Sequence, residues 1–334
     1  MTRRTFLKRT AKTLLGMGLL PYLPGQMRQA MASALRPPVS PEPPPDGFQT
    51  LIFCDSQCGY NYYHVWEQTL STAWAQFPKA DFFTDIGDLT DNGEDDWQWE
   101  NFLEILQPYA DAHPFYPVMG NHECYSQDWK NCLPRRYLKT FKFPANGTSR
   151  FHGYYYSFVK PPVQFVVLNT QMQELDEFFG PGRLLQAQLA WVKETLKNKA
   201  QPWTVVLMHK DVLAYDEYQA GTDSAGGFSD VGRAFLPTLE RMGVDLILTG
   251  HMHTYRRRGP LRNWQDNDSG PICIMSGPAG NQEYYVPPDP LDKAAIAQPT
   301  EPNYLVMNAS PQSLTISCLT VSGEEVDTIA IKKR

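Results

Sequence analysis

The 334-residue sequence has no internal repeat, no heptad pattern and no CxxC pair. These absences exclude solenoid repeats, a long coiled coil and a zinc knuckle built on paired cysteines. The apolar stretch near the N-terminus, roughly residues 13–23, is well short of the ~20 residues that a transmembrane helix needs. We therefore expect a globular protein with no membrane span.

The first 34 residues are typical of an export signal. Thr2–Lys8 contains a twin-arginine pair, the apolar stretch follows, and Ala32-Ser33-Ala34 has the small residues of a cleavage site. We predict a twin-arginine signal peptide over residues 1–34, a stiff proline-rich linker over residues 35–47 and one folded domain over residues 48–334. The predicted location is the periplasm or the outside of the cell.

An excess of basic residues is also lacking. The formal net charge is -6, and removal of residues 1–34 would take away six basic residues and no acidic ones, which lowers the charge to -12. Sequence-independent nucleic-acid binding relies on basic surface. We expect no nucleic-acid scaffold as a partner, and the sequence leaves the oligomeric state open.

Strand-like and helix-like segments alternate through most of the predicted domain. Gln49–Cys54 is a β-rich run, Tyr62–Gln76 has helical spacing, and Val231–Met242 is a predicted helix closed by Gly243. After residue 270, four strand-like runs follow with no long helix between them. Alternation predicts a largely parallel sheet, and the later run of strands predicts a second sheet.

Histidine is scarce, and its placement is informative. The chain has only seven histidines, and four of them lie in five polar motifs that each follow an apolar run. Such positions are strand ends, where α/β sheets place their ligand sites, and carboxylate, amide and imidazole groups together can bind two metal ions. The motifs are Asp55-Ser56-Gln57, Gly87-Asp88-Leu89-Thr90-Asp91, Gly120-Asn121-His122-Glu123, Met208-His209 and Gly250-His251-Met252-His253.

In this order the motifs resemble the signature of the calcineurin-like metallophosphoesterases, over roughly residues 48–331. Three further segments look like the purple acid phosphatase branch and its bacterial relatives: Tyr155–Phe158, Gly250–Tyr255 and Ser276–Asn281. The resemblance implies an α/β fold, a four-layer α/β/β/α sandwich of two mixed sheets. It also implies a hydrolase that acts on phosphoric esters with two divalent or mixed-valence metal ions.

The resemblance also implies roles for single residues. His122 would face the substrate, as proton donor to the leaving group or as a stabiliser of the phosphoryl oxygens, and Asp91 would orient and charge-stabilise it. Asp88 would bridge the two metals. One metal would take Asp55, Gln57, Asp88 and His253, and the other would take Asp88, Asn121, His209 and His251.

Two positions depart from the family pattern. Many members have histidine where this chain has Gln57, whose side-chain carbonyl is a weaker ligand, so the alternatives for Gln57 are indirect binding or no binding. Purple acid phosphatases have tyrosine where this chain has Asp91, so we predict a colourless enzyme. Mixed nitrogen and oxygen ligation suits manganese, iron, zinc or magnesium, and the sequence does not distinguish among these four metals.

The predicted function is hydrolysis of a small phosphorylated substrate. The alternative is a phosphodiesterase acting on a nucleotide or a glycerophosphodiester, and the third hypothesis is a non-catalytic metal- or phosphate-binding protein. The loop Asp211–Asp230, rich in Gly, Asp and Tyr, is a candidate specificity element.

Two smaller expectations concern cysteine and arginine. The shortest plausible disulfide joins Cys124 to Cys132, with Cys58 as a competing partner for either. Arg256-Arg257-Arg258 is interpreted as a solvated run of charge rather than as a substrate-attracting patch.

Overall fold

The chain folds around two β-sheets packed face to face. This computed structural model describes residues 10, 13, 39–57, 63–214, 228–280, 284–287, 289–296 and 300–333. The strands are β1 (Phe48–Phe53), β2 (Phe82–Asp85), β3 (Phe115–Pro117), β4 (Tyr156–Lys160), β5 (Val163–Leu168), β6 (Trp203–Met208), β7 (Leu246–Thr249), β8 (Arg256–Arg258), β9 (Leu261–Arg262), β10 (Gln265–Asp266), β11 (Ile272–Met275), β12 (Asp292–Ala295), β13 (Asn303–Ala309), β14 (Ser313–Thr320) and β15 (Glu325–Lys332).

Both sheets are mixed. Within the described residues, the first sheet has the order β15-β14-β13-β1-β2-β3 and the second has the order β12-β8-β11-β7-β6-β5-β4. Strands β1, β2 and β3 run parallel to one another, as do β5, β6, β7 and β11. The carboxyl ends of these parallel strands therefore gather at one edge of each sheet.

Helices cover the outer face of each sheet. They are α1 (Tyr63–Gln76), α2 (Asp96–Ala110), α3 (Arg135–Thr140), α4 (Met172–Phe179), α5 (Arg183–Thr195) and α6 (Asp230–Arg241), with 3₁₀ turns at His122–Cys124 and Ser149–Phe151. The side chain of Asp95 caps α2 by accepting a hydrogen bond from the Gln98 backbone N–H at 3.2 Å. Among the described helices, none has the length and apolar character needed to cross a lipid bilayer.

Three apolar clusters correspond to the three layer interfaces. Phe82 and Phe165 belong to the cluster between the two sheets. Trp66 of α1 packs against the first sheet, and Phe235 of α6 packs against the second. Every residue of β1 is buried, because a strand covered on both faces has no solvent side. The predicted α/β/β/α sandwich of two mixed sheets is confirmed.

Most predicted elements agree with the structure to within a few residues. The helix predicted over Val231–Met242 spans Asp230–Arg241, and Gly243 after it has a φ of 60°, as a helix stop requires. The prediction did not include α4, Met172–Phe179, or the short strands β8 to β10 and β12.

The interpretation of the arginine run as solvated charge is wrong. Arg256 and Arg258 lie on β8 and are buried. Arg258 pairs with Asp211, and Arg256 pairs with Asp292 at 3.4 Å. Buried charges require such partners, and these partners are distant in the sequence, so the run alone did not reveal them.

Neither predicted partner of the shortest disulfide is bridged in the structure. Cys124 and Cys132 are both free thiols, although the Cys132 backbone N–H donates to the Cys124 carbonyl oxygen at 2.8 Å. Cys58 lies outside the described residues, as does nearly all of the predicted signal peptide. The described part of the predicted linker contacts the domain, since Glu42 pairs with Lys79.

Candidate metal centre

The five sequence motifs meet at the edge where the parallel strands end. Asp55 and Asp88 follow β1 and β2 of the first sheet, and Asn121 follows β3 after a short loop. His209 and His251 follow β6 and β7 of the second sheet. Because the two sheets pack face to face, these loops converge from both sides on one site.

One group of predicted ligands is centred on Asp88 and His209. Nε2 of His209 lies 2.9 Å from Oδ2 of Asp88 and 3.1 Å from Oδ1 of Asn121. Single ligand atoms of Asp88, His209 and His251 all lie within 4.8 Å of one another. The structure thus brings together the four residues that the family resemblance assigns to one metal.

The orientation of His209 suits metal binding. Its Nδ1 lies 2.8 Å from the carbonyl oxygen of Ile86. A carbonyl oxygen can only accept, so Nδ1 carries the proton and donates it. This contact holds the ring with Nε2 directed at Asp88, an arrangement that commonly orients metal-ligating histidines.

The second group is centred on Asp55. Nε2 of His253 lies 3.7 Å from Oδ1 of Asp55, and the Asp55 carboxylate accepts the backbone N–H of His251 at 3.1 Å. The backbone N–H of Gln57 donates to the Asp88 carbonyl oxygen at 2.9 Å, which ties the two groups together.

The side-chain oxygen of Gln57 has no hydrogen-bond partner among the described residues, although it is buried. A buried polar oxygen without a partner costs free energy unless something else satisfies it. A metal ion would do so, and an amide oxygen is an acceptable donor to a hard or borderline cation. This feature fits direct ligation by Gln57.

Cys54 is a buried neighbour of the proposed ligands that directly precedes Asp55. Its sulfur lies within 4.8 Å of ligand atoms of Asp55 and His209. However, complete burial and the adjacent carboxylates raise the pKa of the Cys54 thiol well above its usual value. In the metal-free chain Cys54 is therefore a protonated thiol beside the proposed ligands.

The charges of the metal-free site are strongly coupled. Burial and the nearby Asp88 raise the pKa of the Asp55 carboxyl to about 7. Burial would also raise the pKa of Asp88, but the imidazoles of His209 and His122 outweigh it and hold that pKa well below its usual value. Asp88 in turn raises the pKa of His209 to about 9 against the effect of burial. In the metal-free site, a protonated His209 therefore supplies the positive charge that balances the Asp88 carboxylate.

Four of the predicted ligands have left-handed backbone conformations. The φ angles are 55° at Asp55, 57° at Asp88, 75° at His251 and 47° at His253. Asp and His tolerate this region better than most residues, but it remains uncommon for them. Left-handed residues concentrated at one site indicate that the loops are shaped to aim these side chains inward.

Close backbone approach explains two of the motif glycines. Gly87 has a φ of 97°, which turns the chain directly before Asp88. A Cβ atom at Gly120 would lie 2.2 Å from the Asp88 backbone nitrogen. Any larger residue at position 120 would push apart the loops that carry Asp88 and Asn121.

Glu123 organises these two loops, a role that sequence reasoning did not assign. Its buried carboxylate accepts backbone N–H groups from Gly120 at 2.7 Å, Leu89 at 2.7 Å and Asp88 at 3.1 Å. Burial and the charge of Asp88 raise the pKa of Glu123 to about 7. Glu123 was part of a singled-out motif, but its burial and its backbone partners are seen only in the folded chain.

His122 lies beside the cluster and is partly exposed. Its backbone N–H donates to Oδ1 of Asp88 at 2.9 Å, and its Nε2 lies 3.9 Å from Oδ2 of Asp88. Its Nδ1 lies 2.7 Å from the backbone carbonyl oxygen of Asp91. Asp91 thus contacts this ring through its carbonyl, whereas the resemblance implied that its carboxylate orients His122.

A pocket of about 400 Å³ opens above the cluster. Asp88, Asn121, His251 and His253 line its floor. We call the residues that line its outer edge the rim; they are His122, Tyr125, Trp129, Glu174 and Lys210. Of the candidate specificity loop Asp211–Asp230, residues 215–227 lie outside the described residues.

The sequence profile of the calcineurin-like phosphoesterases matches residues 51–255, more than half of the chain. The chain belongs to the calcineurin-like phosphoesterase family. Purple acid phosphatase 18 of Arabidopsis thaliana is 28% identical to this phosphoesterase over 206 residues, which cover 59% of this chain and 43% of the relative. The chain spans about half, or less, of the length of the curated relatives that it matches.

Solved structures show the same fold at low sequence identity. The purple acid phosphatase PPD1 from seeds of yellow lupin, Lupinus luteus, has a TM-score of 0.70 at 20% identity, covering 88% of this chain and 55% of that one. GAP50, the anchor in the inner membrane complex of Plasmodium, has a TM-score of 0.62 at 14% identity, covering 86% and 90%. Family membership places this chain among the calcineurin-like phosphoesterases, a family of hydrolases, and the fold by itself does not specify a substrate.

Sequence reasoning missed most of the rim of this phosphoesterase. Tyr125 donates its hydroxyl to Glu174 at 3.3 Å, and Lys210 pairs with the same carboxylate at 2.6 Å. Lys210 directly follows His209 and was not singled out. No sequence pattern links Tyr125 to Glu174, which lies on α4, so only the folded chain reveals this contact.

Proposed function

We propose that this phosphoesterase is a metal-dependent phosphatase that hydrolyses small phosphate esters. One observation carries the proposal. Carboxylate, amide and imidazole groups from both sheets converge on one buried cluster, and a partly exposed histidine stands at its edge. This combination provides sites for two cations together with a proton donor, as phosphoryl displacement by a two-metal centre requires.

The proposed ligands follow the two groups described above. Asp88, Asn121, His209 and His251 would hold one ion, and Asp55, Gln57, Asp88 and His253 would hold the other. When bound, the two ions supply positive charge that acidifies water and neutralises phosphoryl oxygens. The nitrogen and oxygen donors suit manganese, iron, zinc or magnesium.

The chain itself supplies the proton donor and its orientation. Because Nδ1 of His122 donates to the Asp91 carbonyl oxygen, Nε2 is the atom available to the pocket. The backbone N–H of His122 is fixed on Asp88, so the ring is held at a set position relative to the cluster. Nε2 would give its proton to the leaving oxygen as the ester bond breaks.

A phosphodiesterase is the second candidate. Trp129 also lines a second, outer groove of about 560 Å³ together with Lys130, Glu177 and Phe178. This groove provides room for a second ester group. A non-catalytic role is disfavoured because the proposed ligand set is complete.

A panel of substrates and metals tests the proposal. The full-length protein is stripped with a chelator, reloaded with one metal at a time, and assayed on aryl phosphate and bis-aryl phosphate esters. We expect two ions per chain by elemental analysis and faster turnover of the monoester. A faster diester reaction would select the second candidate, and no turnover with any metal would reject both.

Export by the twin-arginine route to the periplasm or the cell exterior is part of this proposal. It rests on the sequence of residues 1–34. Replacing Arg3 and Arg4 together by Lys should retain the protein in the cytoplasm, as cell fractionation would show. Unchanged export of the double variant would contradict the assignment.

A further inference from the structure

A short hairpin directly after His122 forms one side of the pocket. Tyr125 and Asn131 face each other as an antiparallel bridge, and Ser126 donates its backbone N–H to the Lys130 carbonyl oxygen at 2.8 Å. At the tip, Trp129 donates its backbone N–H to the Ser126 carbonyl oxygen at 2.9 Å. These hydrogen bonds fix the backbone that presents Trp129.

Trp129 has two properties that packing does not explain. Its side chain is 61% exposed, so it contributes little to the core. Its φ of 60° is in the left-handed region, where a bulky residue is a genuine outlier. Strained residues cluster at active sites and ligand clamps, so the strain at Trp129, beside the proposed proton donor, points to a binding role.

The indole lies between the proposed proton donor and the outer groove. Its ring centroid is 5.8 Å from that of His122, with the rings nearly perpendicular at 89°. The ring of Tyr125 is 5.5 Å from the ring of His122, at 77°. Trp129 lines both the 400 Å³ pocket over the ligand cluster and the 560 Å³ groove beyond it. A leaving group bonded to an oxygen near His122 would extend along this indole.

We propose that Trp129 is a stacking platform for the leaving group, so that this enzyme prefers phosphoesters whose leaving group carries an aromatic ring or a nucleobase. The inference rests on the proposed phosphatase function. In that reaction, the oxygen of water bonds to phosphorus, the ester P–O bond breaks, and the leaving oxygen takes a proton from His122. The proton that the attacking water loses passes to solvent, and His122 regains one from solvent. Planar rings stack well on indole, and every nucleobase has a π-face. We therefore expect the enzyme to prefer substrates whose leaving group carries a ring over substrates that lack one, and to discriminate little among the different nucleobases.

Two substrates with the same leaving oxygen provide the test. Adenosine 5′-monophosphate and ribose 5-phosphate both release a ribose 5′-hydroxyl, so a difference in kcat/KM reports the base and not the acidity of the leaving group. We expect the metal-loaded wild-type enzyme to prefer the nucleotide by about tenfold or more, the range that base stacking provides. Equal kcat/KM values for the two substrates would overturn the proposal.

Trp129→Asn removes the ring and keeps a residue that tolerates a positive φ. It should reduce the preference to within about threefold by lowering kcat/KM for the nucleotide alone, and Trp129→Tyr should restore most of it. Trp264→Asn is the matched control, because Trp264 is also exposed, has a φ of 66° and packs against Phe228 in another part of the fold. An equal loss on both substrates in Trp129→Asn would show that Trp129 positions His122 instead, and would overturn the proposal.

A binding measurement separates this inference from the hydrolase proposal. Adenosine carries the ring and no phosphate, so its dissociation constant can be measured by calorimetry without turnover. Trp129→Asn should weaken adenosine binding by about tenfold and leave inhibition by inorganic phosphate unchanged. If no ester is hydrolysed but adenosine binding still depends on Trp129, the phosphatase proposal fails and the stacking site stands. Adenosine binding that is unchanged in Trp129→Asn would refute the stacking site whatever the activity.

Discussion

The floor and the rim of the pocket are built in opposite ways. The floor is lined by proposed ligands, of which Asp88, Asn121 and His253 are almost fully buried after strand ends. The rim, by contrast, has Trp129 at 61% exposed on a hairpin and His122 at 20% side-chain exposure on a 3₁₀ turn. Because the floor residues are held by the sheets, substitutions there should disturb the fold. Substitutions in the rim should not.

This difference assigns separate tasks to the two regions. Changes in the floor should alter metal content and stability together with activity. Changes in the rim should alter activity or substrate preference and leave bound metal in place. The experiments that follow are ordered from the largest expected effect to the smallest, and each asks whether that separation holds.

Asp88→Ala should have the largest effect. It removes the carboxylate that lies 2.9 Å from His209 and accepts the His122 backbone N–H, so both proposed ions lose a ligand. We expect at least about a thousand-fold loss of kcat and at most one bound ion per chain by elemental analysis. Asp111→Ala, at an exposed helix end, is the control. Two ions retained in Asp88→Ala would remove Asp88 from its bridging role.

His122→Ala tests the boundary between floor and rim. Loss of the proton donor should lower kcat by about 10²- to 10⁴-fold, the usual worth of general acid catalysis, with metal content unchanged. His152→Ala is the matched control, since His152 is also exposed and contacts Phe143. Loss of metal from His122→Ala would show that His122 is a metal ligand rather than the proton donor.

Glu123→Gln tests whether the loops of the floor need their buried carboxylate. Glutamine has one acceptor oxygen, so its NH₂ group would face at least one of the backbone N–H groups of Gly120 or Leu89. We expect metal affinity to weaken by about 10- to 100-fold and the free energy of unfolding to fall by about 1–3 kcal/mol. Equilibrium dialysis and urea denaturation measure these. The exposed Glu94→Gln should change neither quantity.

Metal binding should release protons. In the metal-free chain, the pKa of Asp55 is raised to about 7 and that of His209 to about 9, so below these values each group holds a proton that a metal must displace. Affinity should therefore rise with pH between 6 and 9, by about tenfold per pH unit for each proton released. Calorimetry in buffers of different ionisation enthalpy counts the protons; a pH-independent affinity would contradict these shifts.

The layers, and the meeting of the polar motifs at one edge of the sheets, could be predicted from the sequence because both depend on local patterns. Apolar runs located the parallel strands, and the polar residues after them, such as Asp55 and His209, meet where parallel strands end. The backbone conformation of those residues was not predictable, since nothing in the residue types indicates a positive φ at Asp88 or His251.

Most of the rim, apart from His122, and the buried arginines were missed because their partners are distant along the chain. Arg258 is buried against Asp211, 47 positions away, and Tyr125 reaches Glu174 across 49 positions. Trp129 is one exposed aromatic residue in a polar stretch. Its position over His122 depends on the hairpin closing, which a sequence pattern of this length does not reveal.

The left-handed backbone at Asp55, Asp88, His251 and His253 gives a way to recognise loss of function in other chains of this fold. Each such residue costs of order 1–3 kcal/mol, and Gly or Asn would adopt the same turns with less strain. A homologue that no longer binds metal would be more stable with Gly or Asn at these four positions, and we expect such substitutions to accumulate there. Retention of Asp and His at left-handed turns is therefore a sign that a chain still uses its metals, and it can be checked without any assay.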